Sequence, residues 1–219
     1  GLTQNGFTQN GFTQNGFTQN GFTQNGFTQN GFTQNGFTQN GFTQNGLTQN
    51  ALTTDPNARA LLQYVYSCAM KAGTHLSLKL PDDPYGSLEL DGSLGLAPEW
   101  GVDGGSCNES CQRWISACVL SRTNAYGSRV PISIRGNHPA LAHAPEETTL
   151  YPSREGAYFG NIFATTLDST GMSVNDPKLY ACAGPKSSVP QTTMRFCSSP
   201  VDFCSIETVG FCTDPPVGT

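Results

Sequence analysis

The sequence predicts a mainly β protein in two parts. A β-solenoid occupies residues 1–55, and a small disulfide-rich α+β domain with two helices occupies residues 56–219. Three observations predict this division. A five-residue unit repeats without interruption through the first fifty residues, all eight cysteines follow the repeat, and two helical patterns lie among those cysteines. A chain of 219 residues is long enough for two domains.

The repeated unit is Gly-Phe-Thr-Gln-Asn, which occurs eight times between two Gly-Leu-Thr-Gln-Asn units, and a variant unit at 51–55 closes the array. A period of five matches neither one face of an α-helix nor one face of a continuous strand. A backbone that turns a corner in every unit keeps all large apolar residues inside, and Gly and Asn suit such corners. The predicted solenoid core is Phe7, Phe12, Phe17, Phe22, Phe27, Phe32, Phe37, Phe42, Leu47 and Leu52. A flexible tether is the alternative, although disordered segments are poor in aromatic residues.

The array resembles the pentapeptide-repeat family, whose members form right-handed quadrilateral β-helices with a central Leu or Phe facing inward. The resemblance covers residues 1–55 and implies square coils stacked about 4.8 Å apart. The second inward position, usually small in that family, is Asn here, as at Asn5, so ladders of Asn amides are expected along the coils. Some family members mimic DNA through rows of carboxylates. Residues 1–54 carry no charged side chain, which excludes that function.

The charge of the chain argues against nucleic-acid and membrane partners. The net charge is −5 and only 12% of residues are charged, so no basic patch is expected. No apolar run of eighteen residues is present, so membrane insertion is not expected. The chain begins inside the repeat, as a processed secreted chain or a shortened one would.

The cysteines predict disulfide bonds and therefore a secreted protein, extracellular or at the cell surface. Metal binding is the alternative, but the Cys107–Cys111 spacing has no second pair to complete a tetrahedral site. Cys68 and Cys118 lie on the apolar faces of the two predicted helices and are the first expected pair. The full set of candidates is Cys68, Cys107, Cys111, Cys118, Cys182, Cys197, Cys204 and Cys212.

The first helix is predicted over residues 56–72, with Asp55 as N-cap, Pro56 in the first turn and Gly73 as the stop. Its position directly after the repeat predicts that it caps the solenoid. Its apolar positions recur every three or four residues: Leu61, Leu62, Val65, Cys68, Ala69 and Ala72.

The second helix is predicted from a capping box, with Ser106 as N-cap and Glu109 three residues later, through about Tyr126. Its inward stripe is Cys111, Trp114, Ile115, Cys118 and Val119. Alternating residues predict a hairpin from 76–80 and 87–90, an edge-like strand at 130–134 that contains Pro131, and strands at 158–163 and 178–182.

Several short sequence segments resemble segments of a set of uncharacterised secreted proteins of myxobacteria. They lie at 58–62, 67–69, 92–98, 113–118, 132–136 and 155–161. The resemblance spans residues 56–185 and implies no activity.

The sequence offers little that predicts an enzyme, and no catalytic residue, metal or cofactor is expected. A hypothetical metal site would consist of His138, His143, Glu146 and Glu147. Their spacing fits no regular helix or strand, so we interpret them as exposed loop residues. No nucleophile elbow, dinucleotide-binding loop or phosphate-binding loop is present.

The leading functional hypothesis is a structural subunit of an extracellular filament. The partner would be a second copy, bound head to tail through an uncapped solenoid end formed by Gly1, Leu2 and Asn5, whose unpaired backbone groups would recruit another chain. The first alternative is an adhesin or binding module that carries residues 56–219 on a rigid stalk and contacts other cell-surface material. The second alternative is an ice-binding solenoid with ranks of Thr.

Overall fold

A computed structural model describes residues 2–6, 56–79, 84–101, 106–124, 129–142, 145–171, 173–196 and 206–212. These residues form four α-helices: α1 (Pro56–Ala69), α2 (Glu109–Ser121), α3 (Pro145–Leu150) and α4 (Val189–Phe196). They also form ten strands: β1 (Leu2–Gly6), β2 (His75–Leu78), β3 (Leu88–Asp91), β4 (Thr123–Asn124), β5 (Val130–Ile132), β6 (Gly156–Asn161), β7 (Thr165–Leu167), β8 (Ser173–Asn175), β9 (Lys178–Ala183) and β10 (Glu207–Phe211). The predicted solenoid core and Gly1 lie outside the described residues.

The described part is an α+β fold with small sheets, in which two helices match predictions and two do not. The additional helices α3 and α4 have six and eight residues. Helices this short carry too few turns for an apolar period to stand out from the sequence. One hydrophobic core joins α1, α2, the β2–β3 hairpin and the inner face of β9.

Helix α1 is the centre of this core. Leu62, Val65 and Cys68 are fully buried, and most of the other side chains from residue 59 to residue 70 are also buried. A helix that is apolar on most of its circumference is an internal helix. The helix ends at Ala69, earlier than the predicted end at residue 72, and Ala72 is exposed.

The segment 93–97 explains why α1 ends early. The backbone N–H groups of Ser93 and Leu94 donate to the carbonyl of Ser67, and those of Leu96 and Ala97 donate to the next carbonyls of the same turn, all at 3.0 to 3.1 Å. The last carbonyls of a helix have no partner within it, so this segment satisfies them from outside. The tight approach requires glycine: a Cβ at Gly92 would collide with the backbone oxygen of Lys71.

Helix α2 begins at Glu109 with Asn108 as its N-cap, whose Oδ1 accepts from the backbone N–H of Cys111 at 3.0 Å. The predicted capping box with Ser106 as N-cap is therefore wrong. Asn caps a helix as well as Ser does, and it stands two residues closer to the first turn. Glu109 instead pairs with Arg113 one turn later, at 2.6 Å. The helix ends at Ser121 and residues 123–124 form strand β4, so the predicted continuation of the helix through about Tyr126 is wrong.

Three disulfides are described. Cys68 and Cys118, the pair expected from the helix faces, are bonded and join α1 to α2. Cys107 is bonded to Cys111 and Cys182 to Cys212. Cys197 and Cys204 lie outside the described residues.

The predicted hairpin is confirmed as β2 and β3, which pair antiparallel with Leu76 opposite Leu90. A second hairpin of β7 and β8 was not predicted. The predicted strands at 158–163 and 178–182 correspond to β6 and β9, which pair antiparallel, and α2 packs against β6. Beyond β9 the chain forms α4 and then β10, which pairs parallel to β9, so the three elements form a β–α–β unit.

Candidate assembly site

The first repeat unit forms the middle strand of a sheet. Strand β1 lies between β4 and β5, in the order β4-β1-β5. It runs parallel to β4, with Asn5 opposite Thr123, and antiparallel to β5, with Gln4 opposite Val130. The sequence predicts unpaired backbone groups at this end of the repeat. In the structure, residues 2–4 of β1 pair with β5 and residues 5–6 pair with β4, so a different stretch of β1 is paired on each edge.

Pro131 determines the hydrogen-bonding pattern between β1 and β5. Pro131 stands opposite Thr3, between the pairs Leu2–Ile132 and Gln4–Val130. Because proline has no N–H, the two neighbouring pairs must be the ones that exchange hydrogen bonds. The nitrogen of Pro131 therefore faces away from β1, toward the outer edge of β5. Because it cannot donate a hydrogen bond there, it discourages the addition of a further strand.

Strand β4 is anchored in the core by the residues around it. Arg122, Thr123 and Asn124 are all buried, with the Thr123 hydroxyl donating to the carbonyl of Leu120 at 3.0 Å. The guanidinium of Arg122 lies 4.6 Å from the ring centroid of Tyr64 in α1, and burial lowers its pKa. A cation over an aromatic face is attracted by the ring. The end of α2 and the start of β4 are thus tied to α1.

A second buried arginine contacts the end of α2. Arg195 in α4 is only 4% exposed, and its Nη2 donates to the carbonyl of Ser121 at 2.7 Å. Its Nη1 lies 3.1 Å from Oε2 of Glu155, and its guanidinium lies 4.4 Å from the ring centroid of Tyr158. Ser121 is the last residue of α2, so Arg195 places a positive charge where the helix dipole is negative.

Strand β5 is anchored through the segment that follows it. Nη2 of Arg135 donates to the carbonyls of Glu147 and Tyr151, each at 3.0 Å, and therefore caps the end of α3. Gly136 packs so closely on Trp114 that an added Cβ would lie 2.8 Å from Cζ3 of the indole. We call β4 (Thr123–Asn124) and β5 (Val130–Ile132) together the strand site. Both strands follow the repeat in the sequence, and β1 pairs with each of them.

An exposed cluster on the β2–β3 hairpin is the main alternative site. Nδ1 of His75 lies 2.8 Å from Oδ1 of Asp91, and its Nε2 lies 3.0 Å from Oε2 of Glu89. Ser77 and Ser87 donate to Oε1 of the same glutamate at 2.8 and 2.6 Å.

These contacts shift two pKa values in opposite directions. The hydrogen bond with Asp91 is the largest of the causes that raise the pKa of His75. The hydrogen bond from Ser87 is the largest of those that lower the pKa of Glu89. Both ring nitrogens face carboxylates, so neither is placed to take a proton from a serine, as a Ser–His–Asp triad requires.

Of the four residues of the hypothetical metal site, one caps a short helix, two lie in α3 and one lies outside the described residues. Nδ1 of His138 accepts from the backbone N–H of Ala140 at 3.1 Å and caps a short 3-10 helix, and its ring packs on Trp114. Glu146 and Glu147 lie in the first turn of α3, and His143 is not among the described residues. No group of three or more potential metal ligands was found in the part of the chain that the structure describes.

One sheet face carries exposed aromatic side chains. Phe159 of β6 and Tyr180 of β9 stand opposite each other, with ring centroids 5.5 Å apart and planes inclined by 19°. Phe159 is 43% exposed, and Val209 and Phe211 on β10 are also exposed. We call Phe159 and Tyr180 the aromatic pair.

Comparisons with models of protein families, with curated proteins and with solved structures found no match to this chain. The two resemblances therefore rest on the sequence motifs alone. Among the described helices, none has the length and apolar character needed to cross a bilayer. The three disulfides are compatible with an extracellular location.

The strand site is not predictable from the sequence. Thr123 and Asn124 fall inside the predicted second helix, and a strand of two residues is too short to show alternation. The edge character of β5, in contrast, was readable from Pro131.

Proposed function

We propose that this chain is a structural subunit of an extracellular filament in which copies join head to tail through the first repeat unit. One observation carries the proposal: β1 pairs with two strands that follow the repeat, through residues 2–4 with β5 and through residues 5–6 with β4. The unit is therefore capable of extending a sheet through its backbone, which is the usual way in which chains recruit one another at strand edges.

The remainder of the repeat fits a structural role. We propose that residues 7–55 form the β-solenoid predicted above, with one Phe or Leu from each unit in its core and with α1 directly after it. A solenoid of nearly identical units is a spacer of fixed length, and it has no distinct pocket in which catalysis would take place. The partners are other copies of the chain, with other cell-surface material as a further candidate.

Electron microscopy of the purified protein at neutral pH tests this proposal. We expect filaments from the unmodified chain and soluble particles when a folded domain is fused before Gly1, because the fused domain obstructs the first unit. The same domain fused after Thr219 is the matched control and should leave filaments intact. If filaments persist with the N-terminal fusion, the contact between copies must lie within residues 56–219. An unmodified chain that stays monomeric at high concentration would contradict the filament itself.

The aromatic pair, Phe159 and Tyr180, favours a second candidate, the binding module. Exposed aromatic side chains on a rigid sheet are typical of recognition surfaces. In this case the protein would act as a monomer and would adhere to cell-surface material. Replacement of both residues by Ala should then abolish adhesion without changing the oligomeric state. No observation among the described residues favours ice binding.

A further inference from the structure

We infer that the strand site binds the β1 strand of a second copy, so that copies join by strand exchange. This inference rests on the filament function and names the joint. The occupant is Leu2–Gly6 of the neighbouring chain, and the acceptor is the strand site, in which Val130–Ile132 pairs with residues 2–4 and Thr123–Asn124 with residues 5–6.

The strand site is connected to the two long helices: Arg122, next to β4, lies over Tyr64 of α1, and Gly136, after β5, packs on Trp114 of α2. Strand β1 is different, since residues 7–55 separate it from α1 in sequence. A segment of that length permits either its own body or a neighbouring one as the acceptor.

Strand pairing by itself does not distinguish a closed monomer from joined chains. The backbone pairs between β1 and its neighbours are the same whether β1 comes from the same chain or from another. Exchange therefore sacrifices no strand pairing, and the balance between closed monomers and joined chains depends on concentration and on the geometry of residues 7–55. If residues 7–55 are rigid, as a solenoid would be, their length sets whether β1 can return to its own body.

The proposed contact between copies is not symmetric. The donor strand and the strand site are different surfaces, so the contact is heterologous rather than self-complementary. A heterologous contact leaves one donor and one acceptor unused after each addition, and it forms an open chain unless the rotation closes a ring. Strand exchange at this site therefore accounts for growth as well as for pairing.

The register supplies the test. Gln4 stands directly opposite Val130, and Val130 is 44% exposed. Hydrogen-bonded antiparallel pairs have Cα atoms about 5.5 Å apart, which is within the range that a disulfide spans. We would prepare Gln4→Cys and Val130→Cys as separate variants, label one with ¹⁵N, mix them unfolded, refold and assemble them together, and map the disulfides without reduction.

A bridge between Cys at 4 and Cys at 130 of differently labelled chains forms only between two copies. We expect this bridge in the filament fraction. The matched control replaces Gln4→Cys with Gln24→Cys, the same residue in another unit, and should lose the bridge. A single chain that carries both Gln4→Cys and Val130→Cys, oxidised when dilute, should become a closed monomer that no longer adds to filaments.

Four outcomes separate the inference from the filament function. Filaments with the 4–130 bridge between chains support both. Filaments without that bridge overturn strand exchange and leave the filament function intact. Discrete cross-linked dimers without filaments support exchange and overturn the filament function. Monomers without any bridge between chains overturn both.

Discussion

The α1–α2 pair and the sheet around β1 lie next to each other but are held together in different ways. The helices bury a continuous set of apolar side chains and share the Cys68–Cys118 disulfide. The sheet consists of strands of two, five and three residues whose described connection is the pairing of backbone. Side-chain packing and a covalent bond select one partner, whereas a backbone ladder accepts any strand of suitable register.

This difference explains which part of the molecule is suited to exchange between copies. Separating α1 from α2 would require breaking a disulfide and exposing the core. Removing β1 from the strand site would break its backbone ladders with β4 and β5, while Arg122 beside β4 and Gly136 after β5 keep their contacts with Tyr64 and Trp114. An acceptor held by its own chain beside an exchangeable strand is the arrangement that strand addition requires.

The largest expected loss of stability comes from removing the Cys68–Cys118 disulfide between α1 and α2. The double variant Cys68→Ala with Cys118→Ala opens a loop with a sequence separation of 50. The chain-entropy relation then gives a loss of about 4 kcal/mol in the free energy of unfolding. The control, Cys107→Ala with Cys111→Ala, opens a separation of only 4 and should lose about 2 kcal/mol. Urea unfolding followed by circular dichroism measures both, and equal losses would contradict a special role for the helix pair.

A smaller loss of stability is expected at Ser116, whose hydroxyl connects α2 to Ile162, the residue that follows β6. The hydroxyl of Ser116, fully buried, accepts from the backbone N–H of Ile162 at 3.0 Å and donates to the carbonyl of Gln112 at 2.7 Å. Ser116→Ala leaves the buried N–H of Ile162 without this acceptor, at a cost of about 1–3 kcal/mol.

Ser121→Ala is the matched control on the same helix. Its hydroxyl donates one turn back, to the carbonyl of Ala117 at 2.6 Å, and the side chain is only partly buried. We expect a change within about 0.5 kcal/mol for this substitution. A Ser116→Ala variant as stable as Ser121→Ala would show that the hydrogen bond to Ile162 contributes nothing to the packing of α2.

The smallest effect is expected at the exposed His75 cluster, which depends on pH. The raised pKa of His75 stabilises the hairpin below its ordinary value of 6.5, and this contribution is lost as pH rises through the folded pKa. The lowered pKa of Glu89 stabilises the hairpin above 4.5, and this contribution is lost as pH falls through the folded pKa. Both contributions are complete between about pH 4.5 and 6.5.

Amide exchange of β2 and β3, corrected for the intrinsic effect of pH, measures this dependence. Protection should be greatest inside that window and should decline on both sides, while the amides of α1 provide an internal reference. His75→Gln should abolish the decline above pH 6.5 and retain part of the acid decline. An unchanged alkaline decline in this variant would assign the effect to another group.

The two long helices and their disulfide were predictable because helical periodicity is local. Leu61, Leu62, Val65 and Cys68 mark one apolar face, and Ile115, Cys118 and Val119 mark another. Two cysteines on faces that must be buried together are natural partners. The helix ends were less predictable: Asn108 and Ser106 are both good N-caps, and only the path of the chain selects between them.

What the sequence determined by itself was therefore the local structure: two amphipathic helices, the β2–β3 hairpin and the cysteine pair that joins the helices. Only the tertiary structure decided that segment 93–97 caps α1, that β10 pairs with β9 after α4, and that β1 pairs with both β4 and β5. The reason is physical. Helices and hairpins follow from the spacing of side chains along one segment, whereas a backbone ladder between distant strands uses groups that every residue has. Such a ladder therefore leaves almost no mark in the sequence.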